Sequence, residues 1–270
     1  MGAQKNFPAP SRERRSGDRV YSRVLVGGLE TACVSRPQLG RLMVGDCLAA
    51  RRGGRRPKLV FASNGHAVAM AASNRGFRRT FAAADLVHAD GAPVVFASKL
   101  TASPIPERSA TTDFLDDAAA MAEAHGLKFF LLGATEEVNA GCAATLNASY
   151  PRLEIAGRRH GYFRRDQEAA ICEEINGSGA DVIWVGLGVP FEYEFCERNR
   201  DRLKAGWIVT CGGCFNFAAG SYRRAPGWMQ RLGLEWLHRL WREPGRLFGR
   251  YALTNPVAAF LLLTRTKALR

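Results

Sequence analysis

Asp90-Gly91 stands directly after Leu86-Val-His88, a short apolar run with the composition of a strand. A carboxylate at a strand end can be a general base facing a ligand, or it can cap the helix that follows. Spacing does not choose between these, and capping is the commoner use. Other apolar runs end alike, in Ser63-Asn64-Gly65, Gly133-Ala-Thr135, Gly186-Leu-Gly188 and Gly212-Gly213. Glycines at such ends let backbone approach a ligand, and the helix N-termini beyond them attract phosphate. The pattern favours a nucleotide-like, phosphate-bearing ligand, although glycine there is also plain turn chemistry.

Other chemistry is thin. His160-Gly161-Tyr162 reads as a loop, and five histidines without ligand spacing argue against a histidine metal centre. Cys211-Gly-Gly-Cys214 has no second ligand pair, so packing thiols are the better reading, and seven scattered cysteines suit a reducing compartment. No P-loop or nucleophile-elbow motif occurs. Gly186-Leu-Gly188-Val-Pro190 lacks the third glycine of a dinucleotide fingerprint, and Pro190 reads instead as the first residue of a helix. A nicotinamide enzyme is therefore not expected.

The elements that must position these residues alternate. Leu59–Ala62, Phe129–Leu132 and Val182–Val185 read as buried strands, with weaker strands at Leu86-Val-His and Ile208-Val-Thr. Helical patterns lie near 66–83, 112–125, 135–149, 166–177 and 191–204. Such alternation implies an α/β fold with a mostly parallel sheet flanked by helices. Ligands of open α/β sheets sit beyond the carboxyl ends of the strands, where the glycine turns fall. The expected organisation is a disordered basic N-terminus (1–19), a small N-terminal segment (20–56, with a strand near 23–27 and a helix near 38–49), a catalytic domain (57–221) and a C-terminal appendage (222–270).

Charge is unevenly placed. Lys and Arg outnumber Asp and Glu by 12 to 4 over residues 1–56 and by 10 to 2 over 221–270, whereas residues 57–220 carry 16 against 19. Basic ends on a near-neutral body suit an anionic lipid surface at least as well as nucleic acid. In Arg224–Tyr251, Trp228, Trp236 and Trp241 are interleaved with six arginines, the composition of a boundary segment. One helix from about 227 to 242 would gather Trp228, Leu232, Trp236 and Leu240 on one side. Val257–Leu263 is too short to span a bilayer, and no secretory signal is present, so a cytoplasmic protein, peripheral on the inner membrane face, is expected.

In this order and spacing the motifs resemble the WecG/TagA/CpsF glycosyltransferases, family 26. The resemblance runs from about Leu59 to Tyr251. It is carried by Ala84-Asp-Leu-Val-His-Ala-Asp-Gly91, Phe130-Leu-Leu-Gly133, Tyr150-Pro151, His160-Gly-Tyr-Phe163, Val185-Gly-Leu-Gly-Val-Pro190, Gly212-Gly213 with Phe215, Arg224-Ala-Pro226, Gly233-Leu-Glu-Trp-Leu237, Arg239-Leu240, Glu243-Pro244, Arg246 and Arg250-Tyr251. It implies a Rossmann-like domain whose basic, Trp/Arg-rich helical appendage touches membrane and helps close the site. It also implies an inverting, metal-independent hexosyltransferase without cofactor, moving sugar from a UDP-sugar to an undecaprenyl-diphosphate-linked sugar in exopolysaccharide or cell-envelope synthesis. Asp90 matches the family's proposed base, which reverses the preference for a cap. Asn64, Gly91, Gly133, Gly186, Gly188, Pro190, Glu192, Gly213 and Asn216 are the implied donor and acceptor contacts. Arg224, Arg239 and Arg246, with Arg250, are the candidates for compensating the diphosphate and meeting the membrane.

The chain departs from the family pattern. Ala62-Ser63-Asn64 replaces Thr-x-Asn, Pro190-Phe191-Glu192-Tyr193 replaces Pro-Lys-Gln-Glu, Phe215-Asn216 replaces Phe-Asp, and Gly249 stands where many members have Arg. These changes lean the expectation towards glucose or uronic-acid transfer, with N-acetylmannosamine the other option. An inactive membrane-bound assembly subunit is the competing reading, and a nucleic-acid binder is the third and weakest. A homo-oligomer is compatible with the sequence, which does not fix the number of subunits.

Overall fold

The computed structural model describes residues 21–53 and 56–269; the expected disordered terminus, 1–19, lies outside the described residues. The chain begins with an antiparallel hairpin, β1 (Arg23–Val26) and β2 (Leu29–Ala32). Helix α1 (Arg36–Arg52) follows, started by a Ser35/Gln38 capping box in which each side chain accepts from the other's backbone N–H.

Six parallel strands then alternate with helices. After β3 (Lys58–Ser63) come α2 (Gly65–Ser73) and α3 (Arg75–Ala82), and after β4 (Leu86–Ala89) come α4 (Ala92–Ser98) and α5 (Thr111–His125). β5 (Lys128–Gly133) leads to α6 (Glu136–Ser149), and β6 (Glu154–Arg159) to α7 (Glu168–Ser178). β7 (Val182–Gly186) leads to α8 (Phe191–Asn199), and β8 (Trp207–Thr210) to α9 (Cys214–Ala218). The strand order is β4-β3-β8-β7-β5-β6. The chain steps outward from β3 to β4, crosses over to β5 and β6, and returns through β7 and β8 to lie beside β3.

Two cores follow from the period-2 alternation of strands. Leu59, Phe61, Phe130, Leu132, Ile183 and Ile208 face α2, α3, α7 and α8. Val60, Phe129, Leu131, Trp184, Trp207 and Val209 face α1, α5, α6 and α9. Both faces are covered, which is why these strands read as continuous apolar runs. The α/β architecture is as expected. β6 was not anticipated: it is an edge strand with half-exposed residues, and its Arg158 and Arg159 hide the strand pattern.

The C-terminal part contains α10 (Gly227–Arg231), α11 (Glu235–Arg242), α12 (Pro244–Thr264) and β9 (Lys267–Ala268). The single helix expected over 227–242 is instead two. Gly233 sits between them at φ +72°, in the left-handed region, and a Cβ there would come within 3.1 Å of the Phe96 ring. The break turns Trp236 onto Tyr251, edge to face at 5.8 Å between ring centroids. α12 lies along α2, with Leu247, Ala258, Leu261 and Leu262 buried. β9 then pairs antiparallel with β1, so the two end segments share one three-stranded sheet.

Candidate active site at the carboxyl ends of the strands

Asp90 is the residue directly after β4, the edge strand, at the carboxyl end of the sheet. Its Oδ1 accepts from the backbone N–H of Thr111 at 2.8 Å and from Thr111 Oγ1 at 3.2 Å, and its Oδ2 accepts from Asn64 Nδ2 at 3.2 Å. The carboxylate thus stands at the N-terminus of α5, a helix of 15 residues whose own cap, Ala110, offers no side-chain acceptor. The helix directly after Asp90, α4, takes no cap bond from it. The cap reading and the base reading therefore coexist: Asp90 caps a helix distant in sequence, and it is aimed by doing so.

Burial would push the Asp90 carboxyl up, but the Arg108 guanidinium, the Thr111 N–H, His88 and Asn64 outweigh it and hold the group below the usual carboxylate range. Asn64 is fixed in turn, since its Oδ1 caps α2 by accepting from Ala67 N–H at 3.1 Å. Gly91 is tight against it; a Cβ at Gly91 would stand 3.0 Å from Asn64 Cα.

Arg108, which sequence reasoning missed, joins this strand end to the appendage. Its Nε donates to the Asp90 carbonyl at 2.6 Å and its Nη2 to Glu235 Oε2 at 2.8 Å. Glu235 Oε1 accepts from Arg224 Nε at 3.0 Å, and Arg224 Nη1 donates to Asp113 Oδ1 at 2.7 Å on α5. A chain of alternating charges therefore runs from the base to α11 and back to α5. Arg108 and Glu235 are 127 residues apart, so no local pattern could reveal the pair.

The glycine turns lie along the same edge. Gly133 and Gly186, on neighbouring strands, approach so closely that a Cβ at Gly133 would sit 2.3 Å from the Gly186 carbonyl. Pro190 caps α8, following a cis Val189–Pro190 bond, so the helix begins one residue later than expected. Glu192, in the first turn of α8, folds back so that Oε2 accepts from the N–H groups of Gly188 (3.1 Å) and Gly212 (3.0 Å). Burial, aided by the Asp90 charge, raises its carboxyl from 4.5 to about 8 despite these donors. Gly213 and Asn216 begin α9 just beyond β8. At Ala62, which lacks the family's threonine hydroxyl, the backbone N–H donates to Thr210 Oγ1 at 3.4 Å, and Thr210 is fully buried. The Ser63 hydroxyl is buried without a partner among the described residues.

The arginines divide into two groups. Arg224 is held by Asp113, Glu235, Thr112 and Gln230, and Arg246 pairs with Glu243, the cap of its own helix. Arg239 and Arg250 instead bury their Nε groups with no hydrogen-bond partner among the described residues. The Arg239 guanidinium lies over Phe217 of α9, 5.6 Å from the ring centroid. Arg250 faces His66 in the first turn of α2, whose imidazole is pushed down to about 4, first by burial and then by this guanidinium. Buried N–H donors without acceptors are uncommon in folded proteins and point to a missing acceptor. Cys211 and Cys214, by contrast, are buried thiols, and all seven cysteines are free.

The profile of the glycosyl transferase WecG/TagA/CpsF family matches residues 24–270. The chain is 29% identical over 203 residues, 73% of this chain and 75% of the relative, to an N-acetylglucosaminyldiphosphoundecaprenol N-acetyl-beta-D-mannosaminyltransferase of Bacillus subtilis. The Bacillus spizizenii protein of the same name is 30% identical over 198 residues, 73% and 76% of the two chains. That of Staphylococcus aureus is 29% identical over 191 residues, 70% and 74%. The matched span takes in the strand-end turns, the Asp90 cluster and the appendage, so the chain belongs to the WecG/TagA/CpsF family of glycosyl transferases.

Proposed function

We propose that this protein transfers a sugar from a UDP-sugar to the sugar of a polyprenyl-diphosphate-linked acceptor in a single inverting displacement. The names of the relatives make N-acetylmannosamine the first donor and diphosphate-linked N-acetylglucosamine the first acceptor to test. The observation that carries the reading is the ionised, doubly tethered Asp90 at the carboxyl end of β4. In the step, an acceptor hydroxyl oxygen bonds to the anomeric carbon as its proton passes to Asp90. The bond from that carbon to the diphosphate oxygen breaks on the opposite face, and UDP leaves with the electron pair. Arg239 and Arg250, with their unpartnered N–H donors, meet the negative charge of the leaving group. Arg224 is already paired, holding α11 to α5.

The acceptor's lipid accounts for a second feature. Helix α12 is apolar on both sides: while one side packs on α2, Leu253, Val257 and Phe260 project from the other, with Leu253 75% and Phe260 64% exposed. Trp241 on α11 is 86% exposed, and Arg242 beside it is exposed as well. No helix among the described residues is long and apolar enough to cross a membrane. Such a surface suits in-plane docking on an anionic bilayer.

The test offers UDP-N-acetylmannosamine, UDP-glucose and a UDP-uronic acid with a short-chain N-acetylglucosaminyl-diphospholipid and reads product mass. Asp90→Asn should lower turnover by about 10²–10⁴-fold without loss of fold. Near-normal turnover of that variant would remove Asp90 from its role. No product from any donor, with UDP bound or not, would favour the inactive assembly subunit.

A further inference from the structure

Four buried nitrogen atoms on the appendage and on the helix it packs against have no hydrogen-bond partner among the described residues: His66 Nδ1, His238 Nδ1, Arg239 Nε and Arg250 Nε. The transfer step gives a task to the two arginines and none to His66. His66 is the second residue of α2 and follows Asn64, whose Oδ1 caps that helix by taking the Ala67 N–H. The N–H groups of Gly65 and of His66 itself have no intrahelical acceptor, so the positive end of α2 stays open. α12 packs against this end, where a Cβ at Gly65 would stand 3.4 Å from Ala258 Cβ. The imidazole therefore sits in an electropositive corner made by a helix N-terminus and the Arg250 guanidinium.

Such a corner is incomplete without a third group. His66 Nδ1 and Arg250 Nε are both buried, and they do not bond each other. Of the elements packed on α2, α12 supplies the charge that acts on the imidazole, through Arg250; α3 and β3 supply none. Burial and that guanidinium keep His66 neutral at neutral pH, with one N–H and one lone pair. With the proton on Nδ1, His66 and Arg250 are two donors short of one acceptor, and a single anionic oxygen supplies it. A water molecule would satisfy the two N–H groups but would leave the guanidinium charge uncompensated. Arg250 has no carboxylate partner among the described residues and lies over the Tyr251 ring, 4.9 Å from its centroid. The open N–H groups of α2 suit the further oxygens of a phosphate.

We propose that His66 is a diphosphate-binding residue, donating from Nδ1 to a phosphate oxygen that Arg250 holds from α12. This rests on the transferase reading above and adds to its arginines a side chain from the sheet body. Two substrates of that reaction carry a diphosphate, the nucleotide sugar and the lipid acceptor, and the chemistry of the corner fits either. The bound anion offsets the guanidinium charge, so the imidazole takes up a proton more readily in the complex. By linkage, binding raises the His66 pKa and protonation tightens binding by the same factor.

The experiment uses the full chain as wild type, His66→Ala and His66→Asn, the last keeping an amide N–H near the place of Nδ1. Calorimetry at neutral pH reads the binding of UDP and of a short-chain N-acetylglucosaminyl-diphospholipid separately. Nitrogen NMR follows the His66 ring of the wild type, its signals assigned by their absence in the variants. His66→Ala should weaken one of the two ligands roughly tenfold, and His66→Asn should recover part of that loss. Weaker UDP places the nucleotide diphosphate in the corner; weaker diphospholipid with unchanged UDP places the acceptor diphosphate there. The same ligand should move the wild-type His66 midpoint upward from about 4. The proposal is overturned if His66→Ala binds both ligands as tightly as the wild type, or if neither ligand moves the His66 midpoint. UDP that fails to bind the wild type even at about millimolar concentration would instead sink the transferase reading.

Discussion

Asp90 and Glu192 show how neighbouring backbone decides what a carboxyl group can do. Asp90 meets a helix N-terminus and a guanidinium and stays ionised; Glu192 meets two N–H groups but is buried beside that negative charge and stays neutral. The difference makes a stability prediction. The folded-state pKa of Glu192, about 8, lies above its unfolded value near 4.5, so the folded state holds the proton more tightly. Its contribution is full below pH 4.5 and is lost as pH rises through 8, at roughly 1.4 kcal/mol per pH unit. Glu192→Gln should therefore match the wild type near pH 4.5 and exceed it by a few kcal/mol near pH 8 in urea unfolding. Equal midpoints for the two proteins at both pH values would contradict this. The Asp and Glu were visible in the sequence as candidates, but their opposite protonation was not, because it depends on Thr111, Arg108 and Gly212, which arrive from other elements.

At the scale of elements, legibility followed burial. β5 and β7 are covered on both faces and read as Phe-Phe-Leu-Leu and Val-Ile-Trp-Val; β6, on the edge, lacked any such run. The tail was harder. Its aromatic spacing suggested one helix, but a single glycine in the left-handed region divides it, and α12 continues through Pro256 against the ordinary expectation of a break. What the divided tail accomplishes is the placing of Glu235 between Arg108 and Arg224. Replacing Glu235 by alanine takes the acidic partner from Arg108 and one of two acidic partners from Arg224, and loss of a charged partner there costs about 1–3 kcal/mol. We expect Glu235→Ala to lower kcat about 10-fold or more through Arg108 and Asp90, and to increase hydrogen exchange over α11. The conservative Glu235→Gln should recover part of the rate. Unchanged exchange and rate would show that the charge chain does not support the base. Gly233→Ala should cost about 1 kcal/mol or more from the positive φ alone, read as a lowered Tm.

For the molecule as a whole, the charge map and the exposed apolar side of α12 belong to the same surface problem. The described C-terminal part brings arginines and unpartnered aromatic and aliphatic side chains together, whereas the sheet body is near neutral. Cosedimentation with phosphatidylglycerol-containing vesicles should be strong at low salt and should weaken as salt rises. A double substitution, Leu253→Ser with Phe260→Ser, should weaken it further without moving Tm, since both side chains lie outside the core. Vesicle binding equal to the wild type would remove α12 from the docking surface. The fold class was legible in the alternation of elements, whereas this surface was only partly so, because apolar residues at 253, 257 and 260 do not reveal which side of the helix is already occupied by α2.

The pairing of β9 with β1 has a kinetic consequence. Gly27 N–H donates to Thr266 Oγ1 across a sequence separation of 239 residues, and Gly28 N–H to the Arg265 carbonyl. Contacts of such high order close large loops and form late in folding. During synthesis the hairpin β1–β2 is made early, yet it waits for its third strand until nearly all of the described chain has emerged. The final loop to close is thus the one that lays α12 along α2, beside Asn64 and the base. Competence to bind an acceptor should consequently appear in refolding as a slow step after the sheet has formed.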